Sequence, residues 1–217
     1  MYKGTPEFMY PAAARSVLGI GASDTVIALL PGSRAGEVSH HAALFIEAAQ
    51  RLRARVPGAI FLLPVANPVC RRELRPAMDG ATLPLQLVDG QTQRVLAAAD
   101  VALVASGTAT LETALARRPM VVAYRTGRIS WSILSRMVRA PYIALPNLLT
   151  GQRLVPEFLQ DDATSAVLAD ALWEQLTDRE AHPALMESFS GIHRALRLDC
   201  AARVAAGLRQ LAGGKRP

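Results

Sequence analysis

Five short, continuously apolar segments alternate with helical patterns between residues 26 and 124, and this alternation constrains the fold more than any other feature. The segments are VIALL from Val26, AIFLLPV from Ala59, PLQLV from Pro84, DVALVA from Asp100 and MVVAY from Met120. After the first segment, Phe45, Ala48, Ala49 and Leu52 recur at the spacing of one helix face. Strands separated by helices pair in parallel, and strands that are apolar throughout are covered on both faces. The pattern therefore predicts an α/β fold, a doubly wound parallel sheet of Rossmann type.

The rest of the chain is predicted to be helical. Helices are expected after Arg34, Pro68 and Thr108 and from Thr92, and further helical patterns cover about residues 130–138, 164–176 and 183–211. We predict a partly atypical lead-in over residues 1–24, a Rossmann-like domain over 25–160, and carboxyl-terminal helices over 161–217 that pack on it.

Several classes of protein are disfavoured by composition. No apolar run reaches the ~18 residues that a membrane-spanning helix needs, and the first residues lack the apolar core of a signal peptide. Cys70 and Cys200 stand far apart without a CxxC pattern, and none of the 4 histidines lies in an HxxxH or HExxH pattern. The sequence therefore predicts a cytoplasmic protein with neither a disulfide framework nor a metal site.

The charge is basic and is carried almost wholly by arginine. The formal net charge is +6, the isoelectric point is about 10.0, and lysine occurs only at Lys3 and Lys215. Because a guanidinium fits phosphate oxygens, the partners considered are a nucleotide, a nucleic acid and an anionic membrane surface. A biased genome composition explains the same numbers. Nucleic acid is disfavoured, since no binding motif is present and only 5% of residues are aromatic.

The loop after the first predicted strand carries groups suited to phosphate. In its sequence PGSRAGE, Gly32 lets the backbone approach a ligand, Ser33 offers a hydroxyl, and Arg34 can contact two phosphate oxygens. A tight turn with a solvated arginine is the alternative.

The loop after the fourth predicted strand, ASGTATLE, places small and hydroxyl residues at the start of a helix. Free N–H groups and the helix dipole favour an anion there, so a pyrophosphate could lie on Gly107 and Thr108. If Thr108 is the N-cap, Glu112 is too far along to cap and can accept hydrogen bonds from ligand hydroxyls. If Ala109 is the N-cap, Glu112 is an ordinary acidic residue of the helix start. The spacing leaves both alternatives open.

Two polar amides and one basic stretch lie further along the chain. Asn147 and Gln160 stand among apolar residues, where a ligand, nearby backbone or a turn after proline could take up their hydrogen bonds. Residues 125–139 interleave arginine with apolar residues such as Trp131 and Leu134. That stretch is typical either of a helix lying on a membrane surface or of a helix packed on its own domain.

The motifs LLPGSRAGEV, VASGTATLE, RRPMVVAYR and LPNLLTGQRLVPEFLQ together resemble the carboxyl-terminal half of lipid-A-disaccharide synthases. The resemblance runs from about Ala13 to Leu211. It implies one half of a two-domain GT-B glycosyltransferase of lipid A biosynthesis. Such an enzyme transfers 2,3-diacylglucosamine from its UDP derivative to 2,3-diacylglucosamine 1-phosphate (lipid X), giving the disaccharide 1-phosphate and UDP.

The resemblance also implies roles for individual residues. Ser33 and Arg34 would contact phosphate, Gly107 and Thr108 would cradle the pyrophosphate, and Glu112 would bind the ribose of UDP. The remaining candidates, Asn147 and Gln160, match positions that matter for activity. The UDP-sugar is a substrate, so no cofactor is expected.

The resemblance implies partners as well. They are UDP-2,3-diacylglucosamine, lipid X and the inner face of the cytoplasmic membrane, on which the protein would be peripheral. A homodimer is considered, and nucleic acid is not expected.

The expected amino-terminal acceptor domain has no counterpart in these 217 residues. Because the family's proposed base belongs to that domain, we expect this chain to bind the donor without catalysis. Should it catalyse, Glu37, Asp89 and Glu157 are candidate bases. Alternatives are another UDP-sugar glycosyltransferase or epimerase of the same fold, or a stand-alone nucleotide-binding module.

Overall fold

The computed structural model describes residues 10–127, 141–178 and 180–197, and within them six strands and eight α-helices. The strands are β1 Val26–Leu30, β2 Ile60–Val65, β3 Leu85–Asp89, β4 Val101–Ala105, β5 Met120–Tyr124 and β6 Glu157–Leu159. The helices are α1 Pro11–Val17, α2 Ala35–Arg55, α3 Pro68–Met78, α4 Thr92–Ala98, α5 Thr108–Leu115, α6 Leu145–Thr150, α7 Ser165–Thr177 and α8 His182–Leu196. A 3₁₀ turn covers Gln160–Asp162.

The six strands form one parallel sheet in the order β3-β2-β1-β4-β5-β6. β1 pairs with β2 on one side and with β4 on the other, with Ile27 opposite both Phe61 and Val101. The chain therefore reverses its direction of winding between β1 and β4. Ligands of doubly wound sheets bind outside the carboxyl ends of the strands at such a point. The predicted fold class is confirmed.

Helices cover both faces of the sheet, which explains why its inner strands β1, β2, β4 and β5 are apolar along their length. In β1, the side chains of Ile27 and Leu29 pack into a cluster with α2, α3 and α7, whereas those of Ala28 and Leu30 pack into a second cluster with α1, α4, α5 and α8. All five residues of β1 are buried. Neither face of the strand meets water, so no polar alternation is needed.

Helix α1 lies inside the span that the sequence predicts as a lead-in, and an ion pair ties it to the sheet. The Arg15 side chain is 11% exposed, and its Nη2 lies 2.8 Å from Asp100 Oδ1. The same guanidinium donates to the carbonyl oxygens of Ala98 and Ala22. Asp100 Oδ2 in turn accepts from the backbone N–H of Val26. At least the part of residues 1–24 that forms α1 therefore packs against the Rossmann-like core.

The predicted carboxyl-terminal helices are confirmed where the structure describes them. Helix α7 matches the predicted 164–176, and α8 matches the first part of the predicted 183–211. The helix predicted over 130–138 and the end of the last helix lie outside the described residues. Strand β6 was not predicted, and the division of the chain near residues 24 and 160 stays a prediction. Among the described residues, no helix combines the length and apolarity required to cross a bilayer.

Candidate functional site

A cavity of about 400 Å³ lies at the carboxyl ends of β1 and β4, where the strand order reverses. Its lining comes from both predicted ligand loops and includes Gly32, Ser33, Arg34, Glu37, Ser106, Gly107, Thr108, Ala109 and Glu112. The structure therefore brings together five of the seven predicted site residues. The other two, Asn147 and Gln160, do not line this cavity.

A larger cavity, of about 790 Å³, lies at the opposite end of the sheet. Thr25, Asp100 and Pro119, each just before a strand, are among its lining residues. Ligands of doubly wound sheets bind at the carboxyl ends of the strands. We therefore assign the candidate site to the cavity at the carboxyl ends.

The loop between β4 and α5 presents backbone N–H groups to the cavity. Gly107 has φ 141° and ψ −161°, a conformation that is essentially restricted to glycine. The N–H groups of Thr108 and Ala109 lie in the first turn of α5, where no preceding helical carbonyl can pair with them. They have no hydrogen-bond acceptor among the described residues. This helix start can therefore take up an anion.

Both predicted N-caps of α5 are wrong, because Gly107 is the N-cap. The turn needs positive φ, which glycine supplies and neither Thr108 nor Ala109 readily does. Glu112 consequently lies beyond the first turn and cannot cap the helix. Its carboxylate lines the cavity half-buried, and burial raises the pKa of Glu112. A half-buried carboxylate of this kind is suited to accept hydrogen bonds from ligand hydroxyls.

The loop between β1 and α2 is held by the carboxylate of Glu37. Glu37 Oε2 accepts from the backbone N–H groups of Ser33 and Arg34 at 2.9 and 3.3 Å. Glu37 Oε1 lies 2.9 Å from Nη1 of Arg34, whose side chain is 84% exposed. The arginine was expected to contact phosphate or to be solvated in a tight turn. It is solvated and also pairs with Glu37 of its own loop, and its contact with phosphate stays a prediction.

Gly32, Cys70 of α3 and Asn67, the N-cap of that helix, fix the same loop. Gly32 has φ 130°, and a Cβ there would lie 2.4 Å from Cβ of Glu37. The carbonyl oxygen of Ser33 accepts from Cys70 Sγ at 3.3 Å, with Asn67 Nδ2 at 3.5 Å. Glycine at position 32 is therefore required if the Glu37 side chain is to reach the loop amides.

Asn147 is fully buried, and its amide is occupied by the chain itself. Its Nδ2 donates to Val155 O at 2.9 Å and to Glu157 Oε1 at 2.7 Å. Its Oδ1 accepts from the Val155 N–H at 3.0 Å. Of the partners considered for this amide, the structure shows nearby backbone, that of Val155, and it adds the carboxylate of Glu157, which was not considered. Its proposed role in activity stays a prediction, and any such role would act through the loops that it supports.

The backbone of residues 143–145 connects Asn147 to the cavity through hydrogen bonds. Glu157 accepts from the N–H groups of Ile143 and Ala144, both at 2.9 Å. Ser106 donates to Ile143 O at 3.2 Å, and Thr110 Oγ1 accepts from the Leu145 N–H at 3.1 Å. A continuous set of hydrogen bonds thus runs from β6 to the β4–α5 loop. Glu157, one of the candidate bases, is committed to this network.

Gln160 packs against the end of β5. It has φ 48°, and its Oε1 accepts from the Thr126 N–H at 3.3 Å. Arg125 donates to the backbone carbonyl oxygens of Gln160 and Ala163 at 3.2 and 2.7 Å. Arg125 is the first residue of the stretch predicted to lie on a membrane or on the domain, and its guanidinium packs on the domain. Residues 128–139 of that stretch lie outside the described residues.

His41 is a buried residue to which the sequence reasoning gave no role. Its Nδ1 lies 2.7 Å from Glu37 O, and its Nε2 lies 2.9 Å from the Arg125 backbone N. A backbone N–H can only donate, so Nε2 is the acceptor and Nδ1 carries the proton. Burial lowers the pKa of His41, with the cations His40 and Arg125 acting in the same direction and contacts to Glu37 opposing them. The position of His41 four residues before Phe45, on the buried face of α2, was the available sequence signal.

No group of three or more His, Cys, Asp or Glu side chains arranged to hold a metal ion occurs in the described part of the chain.

Comparison with known proteins identifies the family. A family model described as lipid-A-disaccharide synthetase matches residues 5–203. The chain is 50% identical over 193 residues to the lipid-A-disaccharide synthase of Pseudomonas putida strain KT2440, covering 89% of this chain and 50% of that protein. It thus spans about half the length of the curated relatives that it matches.

Two solved structures share the fold. One is HepE from Anabaena in complex with UDP and glucose, with a TM-score of 0.58 and 18% identity, covering 99% of this chain and 54% of that one. The other is WaaG, a glycosyltransferase involved in lipopolysaccharide biosynthesis, with a TM-score of 0.59 and 17% identity, covering 97% and 52%. At these identities the likeness establishes the GT-B fold of one domain.

Proposed function

The chain belongs to the lipid-A-disaccharide synthase family, and from this membership we propose that its Rossmann-like domain holds the UDP part of a sugar donor. The reaction proposed for the whole enzyme moves 2,3-diacylglucosamine from its UDP derivative to 2,3-diacylglucosamine 1-phosphate. The products are the disaccharide 1-phosphate and UDP.

One observation carries this proposal: both predicted ligand loops meet at one cavity where the strand order reverses. The start of α5 offers the N–H groups of Thr108 and Ala109 to a pyrophosphate. Glu112 offers a carboxylate to ribose hydroxyls. The volume of about 400 Å³ lies within the range of roughly 300–1,000 Å³ that small-molecule sites occupy.

The chemical contribution of this domain follows from the same groups. Breaking the bond between the sugar and UDP leaves additional negative charge on the terminal phosphate. N–H groups fixed at a helix start stabilise that charge as it develops, because they need no reorganisation during the reaction. The domain would therefore bind the donor and also make UDP a better leaving group.

The acceptor side of the reaction is assigned to the rest of the enzyme. Of the candidate bases, Glu157 accepts three hydrogen bonds from the chain, and Asp89 is paired with Arg71 at 2.5 Å. Glu37 is bound to its own loop. We therefore propose that the base and most contacts to lipid X come from outside the 217 residues.

We also propose that the enzyme works at a membrane surface, because both of its proposed sugar substrates carry acyl chains. The +6 net charge would favour anionic headgroups. A homodimer is proposed because the predicted helical tail from Pro183, without the domain that it packs against in two-domain enzymes of this type, would leave an apolar face exposed. Flotation with vesicles of neutral or anionic lipid tests the membrane contact, which should require anionic lipid and weaken with salt.

Calorimetric titration of the wild type and the Glu112→Gln variant tests the donor site. UDP should bind the wild type, and the variant should bind UDP about tenfold more weakly, because hydrogen bonds to a charged group contribute about 1.5–3 kcal/mol. Inorganic pyrophosphate should bind both proteins equally, since it has no ribose. Glu47→Gln, an exposed carboxylate on α2, is the matched control for charge.

Two results would contradict the proposal. If the wild type fails to bind UDP, the cavity is not a donor site. If Glu112→Gln weakens UDP and pyrophosphate equally, Glu112 maintains the loop and does not contact the ribose.

A further inference from the structure

The phosphate-binding groups of the β1–α2 loop already hold an anion, the carboxylate of Glu37. Its two oxygens take up the N–H groups of Ser33 and Arg34 and the Nη1 of Arg34. These three donors are among those that the loop could offer to a phosphate, together with the Ser33 hydroxyl and the other N–H groups of the Arg34 guanidinium. They stand at the start of α2, a helix of 21 residues whose dipole favours negative charge at this end.

The loop is shaped to admit this side chain. Gly32 lies so close to Glu37 that a Cβ at position 32 would be 2.8 Å from Oε2 and 2.4 Å from the Glu37 Cβ. Glu37 also lines the cavity beside Gly32, Ser33 and Arg34. The carboxylate therefore sits within the candidate site and not on a remote surface.

We infer that Glu37 is an internal competitor for the donor phosphate, which occupies the β1–α2 loop in the free protein and leaves it when a diphosphate binds. The inference rests on the proposed donor site. A carboxylate and a phosphate cannot share the same two amides, and two anions in contact repel each other. A diphosphate carries more charge and more acceptor oxygens than one carboxylate, so it can displace the side chain.

This competition has a consequence for specificity. Ligands that bring no phosphate to the loop leave Glu37 in place, and they gain nothing from Arg34 or the loop amides. Ligands with a diphosphate displace the Glu37 carboxylate from the loop. They then accept hydrogen bonds from the N–H groups of Ser33 and Arg34 and from Nη1 of Arg34. Glu37 thus lowers the affinity for UDP while keeping the loop amides paired when the site is empty.

The test compares Glu37→Gln with Glu47→Gln, which removes one charge from an exposed position on the same helix. Uridine, UDP and inorganic pyrophosphate are titrated into each protein. Glu37→Gln should bind UDP and pyrophosphate about two- to fivefold more tightly, the effect expected for one partly exposed charge at a helix start. Uridine affinity should stay unchanged, and Glu47→Gln should match the wild type.

A second measurement uses the wild type and does not depend on how the variant folds. In an NMR titration with pyrophosphate, the amide resonances of Ser33 and Arg34 and the carboxyl ¹³C resonance of Glu37 should shift together. Displacement of the carboxylate from the two amides requires all three to change.

Equal or weaker binding of pyrophosphate by folded Glu37→Gln would overturn the inference. So would a wild-type titration in which Ser33, Arg34 and Glu37 stay unchanged. The proposed donor site fails separately, when the wild type does not bind UDP. In that case tighter pyrophosphate binding by Glu37→Gln would still support the displacement of Glu37.

Discussion

At the residue scale, Asn147 shows how a buried amide can serve a site that it does not contact. Its amide bridges Val155 and Glu157, and Glu157 holds the backbone of residues 143 and 144. That backbone is bonded in turn to Ser106, in the loop that lines the cavity. The shape of the β4–α5 loop therefore depends on a side chain of α6.

Replacing Asn147 with alanine should destabilise the protein by about 2–4 kcal/mol. The variant leaves the buried Val155 N–H without its acceptor and removes a donor from Glu157, and each such loss costs about 1–3 kcal/mol. Urea unfolding measures the change, and Gln152→Ala, at an exposed position nearby, should stay within about 0.5 kcal/mol of the wild type. Unchanged stability with lost UDP affinity would show that Asn147 contacts ligand.

The residues that could be predicted from the sequence are those whose role is local. Gly107 and Thr108 come just after the buried strand β4, and Glu112 lies in the helix that follows. Their order along the chain predicts a helix start at the end of a strand, and all three residues line the cavity there. The pairing of Arg34 with Glu37 follows the glutamate half of a capping box, but Arg34 is not a residue type that the motif includes. The contacts of His41 and Asn147 join segments distant in sequence, and no local pattern contains them.

At the scale of elements, the first turn of α2 joins the cavity to the end of β5. Glu37 binds the β1–α2 loop through its side chain, and its carbonyl accepts from His41 Nδ1. His41 Nε2 then accepts from the backbone N–H of Arg125, just beyond β5. The neutral ring is required for this bridge, because a protonated Nε2 would face another N–H.

Acid should therefore lower the free energy of unfolding, because protonation of His41 is less favourable in the folded chain than in the unfolded one. Burial holds its pKa below the ordinary 6.5, so below pH 6.5 the unfolded chain binds the proton more readily than the folded one. The stability from this group is complete above pH 6.5 and is lost as pH falls toward the folded pKa, by at most about 1.4 kcal/mol per pH unit.

Urea unfolding at pH 7.5 and 5.5 measures this effect. His41→Gln should be less stable at pH 7.5 and should lose less stability than the wild type on acidification. His40→Gln, at the exposed neighbouring position, should keep the wild-type pH dependence. An unchanged pH dependence in His41→Gln would show that other groups cause the acid sensitivity.

Some strands and helices could be predicted from the sequence and others could not, for physical reasons. Strands β1, β2, β4 and β5 were predictable because a strand buried on both faces leaves an apolar run, seen most clearly in VALVA of β4. Strand β3, LQLVD, is largely half-buried or exposed, and its signal was the apolar Leu85, Leu87 and Val88. Strand β6 has three half-buried residues, too few to show a pattern. Helix α1 has seven residues and one buried side chain, Ala14, and its attachment through Arg15 to Asp100 spans 85 positions.

At the scale of the molecule, the proposed function gives the described domain only one of the two substrates that a transfer requires. The curated relatives are about twice as long as the chain. Holding the acceptor against the donor can lower a barrier by about 7–11 kcal/mol, and a positioned base typically adds roughly 10²–10⁴-fold in rate. In the proposed function, the groups that line the cavity bind the donor alone.

These 217 residues, assayed by themselves, should therefore bind UDP without forming disaccharide. A radiolabelled lipid X assay compares the chain alone with the chain supplied with the amino-terminal half of a relative such as the Pseudomonas putida protein. Turnover should appear only in the second case. Turnover by the chain alone would require a base among its own carboxylates.

We propose that the β1–α2 and β4–α5 loops form one donor site. An NMR titration with UDP that resolves individual backbone amides tests this proposal most directly. The resonances of Ser33, Arg34, Gly107, Thr108 and Ala109 should shift with a single dissociation constant, and those of Thr25 and Arg118 at the opposite end of the sheet should stay in place. Shifts confined to one loop, or shifts at the amino ends of the strands, would contradict a single donor site formed by both loops.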